Sequence, residues 1–264
     1  MLDGPKAQPI CLCMTDLASF PDGFRALIVG ASGGVGRALT TQLVDHSRCA
    51  EVFAASRSGV DIAGAQSLSI NYDDPGSVED AVLAAAEQGP LHLVIVASGV
   101  LVDDAGRGPE KSWRQIDADH MMDVFKINTL GPALVARSAL DTLAKGDKTA
   151  PEKAVFAALS ARVGSISDNR LGGWHSYRAS KAALNQILKT CAIELARKRP
   201  HAACIGLHPG TVDTSLSEPF QGNVPDGKLF TPAYSAGRLL QVVDQVTAEQ
   251  SGCVFDWAGD IIDP

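Results

Sequence analysis

The chain predicts a doubly wound α/β fold, one Rossmann-like parallel sheet of about seven strands with helices on both faces. Three observations predict it. Apolar, strand-like runs alternate with amphipathic helical stretches along nearly the whole sequence, and a glycine-rich segment joins the first such run to the first helix. In addition, 264 residues with 45% hydrophobic content can bury the core of one large domain and do not require two. Strands that alternate with helices pair in parallel through right-handed crossovers, which cover both faces.

In chain order, residues 1–22 read as an N-terminal extension, expected to be poorly ordered at least to residue 13. Pro5 and Pro9 interrupt it, and Met14 stands about ten residues before the first strand, so starting the chain at Met14 is expected to leave folding and activity intact. Residues 23–264 read as a single domain, with no repeat, low-complexity linker or composition break. The first strand is the run Ala26-Leu27-Ile28-Val29, and a helix over 35–45 follows with Val35, Leu39 and Leu43 at helical spacing. Further strands are expected at 51–55, 67–70, 92–97, 153–159, 202–207 and 253–257, and further helices at 77–88, 117–143, 175–199 and 232–246. Two loops, 103–111 and 216–228, are rich in Gly, Pro and charge. They belong at the carboxyl edge of the sheet, where ligands of such folds bind.

Composition excludes several function classes. The net charge of −7 carries no basic block, and Arg197-Lys198-Arg199 closes a helix, where cations complement the dipole. Nucleic acid is therefore not an expected partner. No apolar run approaches the ~20 residues of a membrane span, and the start lacks the basic and apolar regions of a signal peptide, so no membrane partner is expected. The six cysteines, at 11, 13, 49, 191, 204 and 253, show no CxxC spacing and read as reduced thiols of a cytoplasmic protein. The six histidines form no ligand pattern, and no metal site is expected.

The glycine segment is Gly30-Ala31-Ser32-Gly33-Gly34-Val35-Gly36. Glycines let a strand-to-helix turn adopt positive φ and approach a pyrophosphate, while the N–H groups of the following helix attract its charge. The spacing is GxxxGxG, not the better-known GxGxxG, and such a turn also occurs for packing alone. The second informative segment is Tyr177-Arg178-Ala179-Ser180-Lys181. Tyr177 and Lys181 are four apart on a predicted helix and share a face, where an ammonium beside a phenol is expected to lower a pKa that starts near ~10. In isolation such a pair is an ordinary surface cation with an aromatic neighbour. Its position after a strand and a loop of small residues, downstream of a dinucleotide-type turn, gives it a chemical meaning.

Together these segments resemble the short-chain dehydrogenase/reductase family over about residues 25–257. The stretch 162–181, with Gly172-Gly173-Trp174-His175-Ser176 before the tyrosine, looks most like the carbonyl-reductase branch that includes C-factor-like and sniffer-type proteins. The resemblance implies hydride transfer between a nicotinamide cofactor and a small ketone, aldehyde or quinone, or the reverse oxidation of an alcohol. It makes Tyr177 the general acid/base, sets Lys181 on the ribose hydroxyls, and gives Asn128, in Val124-Phe125-Lys126-Ile127-Asn128-Thr129, the support of a water-mediated proton relay. Pro209-Gly210-Thr211-Val212-Asp213-Thr214 resembles the PG motif that approaches the nicotinamide carboxamide, with Val212 and Thr214 among its contacts. The implied cofactor contacts continue with Gly30, Ser32, Gly34, Val35 and Gly36 at the turn, Ser56 and Arg57 after the second strand, Asn71 and Tyr72 near the adenine, and Ser98 and Gly99 after the fourth strand. A homodimer or homotetramer is also implied. The stripe Ala182, Ala183, Leu184, Ile187 and Leu188 fits pairing across a two-fold axis and fits packing on its own sheet equally well.

Cofactor choice follows from the end of the second strand. Members that prefer NAD carry an acidic residue there; here Ser56 occupies that position and Arg57 follows, a guanidinium suited to a 2′-phosphate. NADP(H) is therefore preferred, with NAD(H) possible. The sequence departs from the family at several positions. Aligning Ser160-Ala161-Arg162-Val163-Gly164 on SSxxG places Ala161 where a serine normally bonds the substrate carbonyl, and leaves open whether Ser160 or Ser165 replaces it. Val96-Ala97-Ser98-Gly99 stands for NNAG, and Asn71 for an aspartate. Ala161 keeps a second reading open, a nucleotide-binding, redox-responsive or signalling protein with weak catalysis. An epimerase or dehydratase of the extended branch would need a longer chain. The segment 213–230, with Pro219, Phe220 and Pro225, is expected to cover a modest apolar pocket lined by Trp174 and Trp113.

Overall fold

A computed structural model describes residues 15–264 apart from 104, 147–149, 151 and 226. Strands β1 (Phe24–Val29), β2 (Cys49–Ser56), β3 (Gln66–Ser69), β4 (Leu93–Val96), β5 (Ala154–Leu159), β6 (Ala202–His208), β9 (Val254–Asp256) and β10 (Ile261–Ile262) form one sheet in the order β3-β2-β1-β4-β5-β6-β9-β10. All pairs are parallel except β9 with β10. Strands β1, β4 and β5 are buried along their whole length, as continuous apolar runs covered by helices on both faces must be. A separate two-stranded pair, β7 (Thr211–Val212) and β8 (Leu229–Phe230), stands beyond the end of β6.

Helices α1 (Gly34–Val44) and α6 (Pro232–Gln245) cover one face, and α2 (Pro75–Ala86), α4 (Gly131–Ala139) and α5 (His175–Lys198) the other. The strand order reverses between β1 and β4, which opens a crevice at the carboxyl edge there. Residues 15–22 run against the α1/α6 layer. Leu17 and Phe20 are buried in its core, Thr15 Oγ1 donates to the Gly237 carbonyl, and Ser19 donates through N and Oγ to Asp244. The expected disorder at 1–13 falls outside the described residues, as do Cys11 and Cys13.

The helix expected at 117–143 is interrupted. It comprises α3 (Ala118–Phe125), a π-helical turn over Lys126–Leu130, and α4, which ends at Ala139 before Leu143 bridges to Leu91. On α5, Leu184 and Leu188 pack on the chain's own sheet, while Ala182, Ala183 and Ile187 are half-buried. Strand β10, the eighth of the sheet, and the β7/β8 pair have two residues each, too few for a periodic signal.

Candidate active site

The first glycine turn is fixed by its neighbours. Gly30 has φ +85°, and a Cβ there would lie 2.5 Å from the backbone N of Ser98; one on Gly36 would lie 2.2 Å from the Gly30 carbonyl oxygen. The Cβ position of Gly34 is filled by the Thr214 methyl at 2.5 Å, so the turn after β1 and the segment after β7 touch. Gly33 caps α1 with no side-chain bond, and the first turn of the helix has no acidic residue, which leaves its positive end open to an anion.

From this turn a cleft extends in two directions. One arm, about 400 Å³, is lined by Gly30, Ser32, Ser56, Arg57, Asn71 and Tyr72, with Ser98 and Gly99 at its inner end. Ser56 is buried at the tip of β2, and its Oγ has no hydrogen-bond partner among the described residues. Tyr72 Oη and Ser98 Oγ are 2.6 Å apart, and the Asn71 side chain accepts from the Asp73 N–H at 3.1 Å, closing a turn after β3. An elongated polar ligand with an anionic centre fits this arm: the open helix end meets the charge, and the orphaned Ser56 hydroxyl beside Arg57 offers a bond at its far end.

The other arm, about 450 Å³, is lined by Tyr177, Lys181, Trp174, Ala161 and His208, and along one wall by Pro209, Gly210, Val212, Thr214 and Leu216. Val35, at the glycine turn, also lines it. Trp174 packs edge-on against Tyr177 with ring centroids 6.1 Å apart, in a left-handed conformation at φ 55°. Backbone strain of this kind in a residue other than glycine gathers at working sites. Trp113 does not join it. It is 66% exposed in a short 3-10 turn with Arg114 stacked on its ring, so the expectation that it lines the pocket is corrected.

The titrating pair behaves differently from the sequence expectation. Burial pushes the Tyr177 phenol up to about 12 and lowers the Lys181 ammonium to about 7. Lys181 Nζ donates to the Leu159 carbonyl at 2.7 Å and lies 5.8 Å from the Tyr177 ring centroid. In this arrangement, loss of hydration outweighs any stabilisation of a phenolate by the ammonium.

Two predicted residues stand behind the cleft wall and support it. One is Gly36, where the backbone crosses the turn; the other is Asn128, fully buried in the π turn. Asn128 accepts from the Val100 N–H at 2.8 Å and donates to the Val100 carbonyl at 2.9 Å and to Ser180 Oγ at 3.2 Å. Its amide thereby ties the segment after β4 to α5, and Thr129 Oγ1 adds a bond to the Ser180 carbonyl at 2.8 Å. A π turn inside an α-helix often marks a functional site, and here it brings Asn128 to both segments.

The two serines near Ala161 have different surroundings at the end of β5. Ser160 Oγ donates to Asn185 Oδ1 of α5 at 2.6 Å. Ser165 Oγ accepts from the Asp168 N–H at 3.1 Å in the following loop and does not line the cleft. Ser160 and Ala161 both line the cleft, and the Ser160 hydroxyl is directed at Asn185.

Sequence reasoning missed Glu110. Its buried carboxylate accepts from the Ser176 N–H at 3.1 Å and from Ser176 Oγ, next to Tyr177, and its carbonyl accepts from the Trp174 N–H. The N-cap position of α5 is Trp174, which makes no side-chain cap, so Glu110 supplies one from the loop after β4. The same loop is fastened to α3. Burial raises the carboxyl of Asp103, but bonds from His120 and from the backbone and guanidinium of Arg107 outweigh this and hold it near about 2. These contacts measure 2.9 Å to His120 and 2.6 Å to Arg107 Nε.

Known proteins resemble this chain in sequence and in fold. The short chain dehydrogenase family matches over residues 25–224. The chain belongs to that family. As a short-chain dehydrogenase/reductase, it is an NAD(P)-dependent oxidoreductase. It is 32% identical over 232 residues to 1-hydroxy-2-glutathionyl-2-methyl-3-butene dehydrogenase of Rhodococcus sp. (strain AD45), covering 86% of this chain and 93% of that one. It is 34% identical over 162 residues to C-signal of Myxococcus xanthus, covering 61% of this chain and 89% of that one. Among solved structures it is similar to NADPH-bound carbonyl reductase from chicken fatty liver, with TM-score 0.78, 24% identity, and 95% and 98% of the two chains covered. The carbonyl reductase Sniffer of D. melanogaster gives TM-score 0.74 at 18% identity, over 92% and 99%. No helix of the described residues is long and apolar enough to cross a membrane, and no cluster among them has the makings of a metal site.

Proposed function

We propose that the protein is an NADP(H)-dependent reductase of a small carbonyl compound, a ketone, aldehyde or quinone, with Tyr177 as the proton donor. The observation that carries this reading is the convergence of Tyr177, Lys181 and the glycine turn on one cleft whose inner wall is apolar. When bound, the nicotinamide supplies the hydride. Tyr177 Oη gives its proton to the carbonyl oxygen, and burial favours this direction by keeping the phenol protonated at neutral pH. Lys181 holds the ribose hydroxyls, and Asn128, clamped between Val100 and Ser180, supports the route by which the proton is replaced. Ser56 and Arg57 hold the 2′-phosphate. Pro209, Gly210, Val212 and Thr214 form the wall facing the nicotinamide, Gly30, Ser32, Gly34, Val35 and Gly36 the pyrophosphate cradle, and Asn71, Tyr72, Ser98 and Gly99 the seat of the adenosine. The NADPH-bound relative among the solved structures supports the same cofactor.

NADPH oxidation by the purified protein against a panel of ketones, aldehydes and quinones tests the reading. Turnover on at least one class is expected; tight NADPH binding with none would favour the second reading, a nucleotide-responsive signalling protein. Ala161 and the similarity to C-signal favour that alternative. The free thiols Cys49, Cys191, Cys204 and Cys253 accord with a cytoplasmic setting. The half-buried Ile187 and the exposed Ile193 on α5 accord with a homodimer or homotetramer.

A further inference from the structure

Ala161 leaves the substrate carbonyl without the hydroxyl that the family normally offers; Ser160 lines the same arm but gives its hydroxyl proton to Asn185, and Ser165 stands outside the arm. Loss of one donor to a developing oxyanion typically slows the chemical step ~10²–10³-fold. A different polar group in the same arm of the cleft is unassigned. His208 is the last residue of β6, and strand alternation places it on the α5 face together with Ala202 and Cys204, while Ala203, Ile205 and Leu207 pack on the other layer. The backbone of Ser160 bonds to the Leu207 carbonyl at 2.7 Å, so the ends of β5 and β6, with Ala161 and His208, lie side by side. His208 lines the cleft with Tyr177.

We propose that His208 is a substrate-contacting residue that donates a ring N–H to the carbonyl oxygen in place of the missing serine hydroxyl. The proposal rests on the carbonyl-reductase reading above. The imidazole makes no hydrogen bond among the described residues, and its Nδ1 is buried without a partner. A buried lone pair is easier to leave unmatched than a buried N–H, so the proton belongs on Nε2, the nitrogen left for the cleft. Asp256, its register partner on β9, does not compete for that proton. Asp256 Oδ2 takes Arg162 at 2.9 Å, and its Oδ1 takes the N–H groups of Ala258 and Asp260 at 2.8 and 3.1 Å. Burial, and then the Arg162 charge, lower the imidazole to about 4 against the pull of Asp256, so the ring is neutral at working pH. In the reduction a C–H bond forms at the carbonyl carbon with the hydride of the reduced nicotinamide. The C=O π pair moves to oxygen, and that oxygen takes the proton of Tyr177. His208 keeps its own proton throughout and stabilises the oxygen by its hydrogen bond.

The test uses the full chain in four forms: wild type, His208→Ala, His208→Gln and Ala161→Ser/His208→Ala. Each is measured for NADPH affinity, for kcat and KM on the best panel carbonyl, and for Kd of that carbonyl in the unreactive complex with NADP+, read by tryptophan fluorescence. His208→Ala is expected to lower kcat ~10²-fold and weaken the unreactive complex several-fold with NADPH affinity unchanged. His208→Gln, which keeps a donor, should lose less, and the serine of the double variant should recover ~10-fold or more of the loss. A kcat for His208→Ala within ~3-fold of wild type, or no recovery in a double variant that binds NADPH normally, overturns the proposal and leaves the reductase reading intact. Absence of Tyr177-dependent turnover in the wild type overturns both.

Discussion

Tyr177 and Lys181 lie on one helix face as their spacing predicts, yet the phenol rises and the ammonium falls because both are desolvated. A phenol whose pKa lies above the working pH keeps its proton and serves as a donor. Titration by tyrosinate absorbance checks this: in the dinucleotide-free protein, Tyr177→Phe should remove no step below pH ~11. Loss of a step between pH ~7 and ~9 would show that the lysine depresses the phenol after all. Arg57 is the residue proposed to decide cofactor choice. Arg57→Ala is expected to raise KM for NADPH about tenfold or more while leaving KM for NADH nearly unchanged, since only NADPH carries the 2′-phosphate. Equal effects on both cofactors would contradict that role. Several site residues were legible in the sequence because their chemistry is local: Gly30 needs a positive φ, and the phenol and ammonium are four residues apart. Glu110 and His208 were not, because each acquires its meaning from a segment far along the chain, Ser176 in one case and Ala161 in the other.

At the scale of elements, helix α5 carries the side chains proposed to react, and its N-terminus is held by a carboxylate from another loop. Substituting a capping group costs ~0.5–2 kcal/mol, and stranding a buried N–H costs ~1–3 kcal/mol. Glu110→Ala is therefore expected to lower unfolding free energy in urea by ~1–3 kcal/mol and to reduce kcat more than it changes NADPH affinity. A variant with wild-type stability and kcat would show that the cap does not position Tyr177. The alternation of strands and helices was readable because each strand of the parallel core is a continuous apolar run, as β4 and β5 show. The π turn was not readable: a single extra residue barely alters the helical period over 117–143, although it decides where Asn128 points. Trp174 and Trp113 look alike as aromatics in loops. Only tertiary packing sends the first into the cleft and leaves the second on the surface.

For the whole molecule, the reversal of strand order between β1 and β4 makes a crevice, and the two arms of the cleft meet at Gly33, Ser98 and Gly99 within it. On the proposed function, one arm takes the dinucleotide and the other a small carbonyl compound. The outer surface of α5 is the face proposed for self-association, because Leu184 and Leu188 are used by the core and Ile187 and Ile193 are not. Light scattering at micromolar concentration is expected to give a dimer or tetramer mass, and a monomer mass would remove that proposal. The central claim is that this cleft reduces a carbonyl through the Tyr177 proton. The most direct measurement compares wild type with Tyr177→Phe, following NADPH absorbance after mixing with the best panel carbonyl and determining Kd for NADPH on the same samples. The account predicts that the variant binds NADPH within ~2-fold of wild type and loses at least ~10³-fold of turnover. Turnover within ~10-fold of wild type would contradict it.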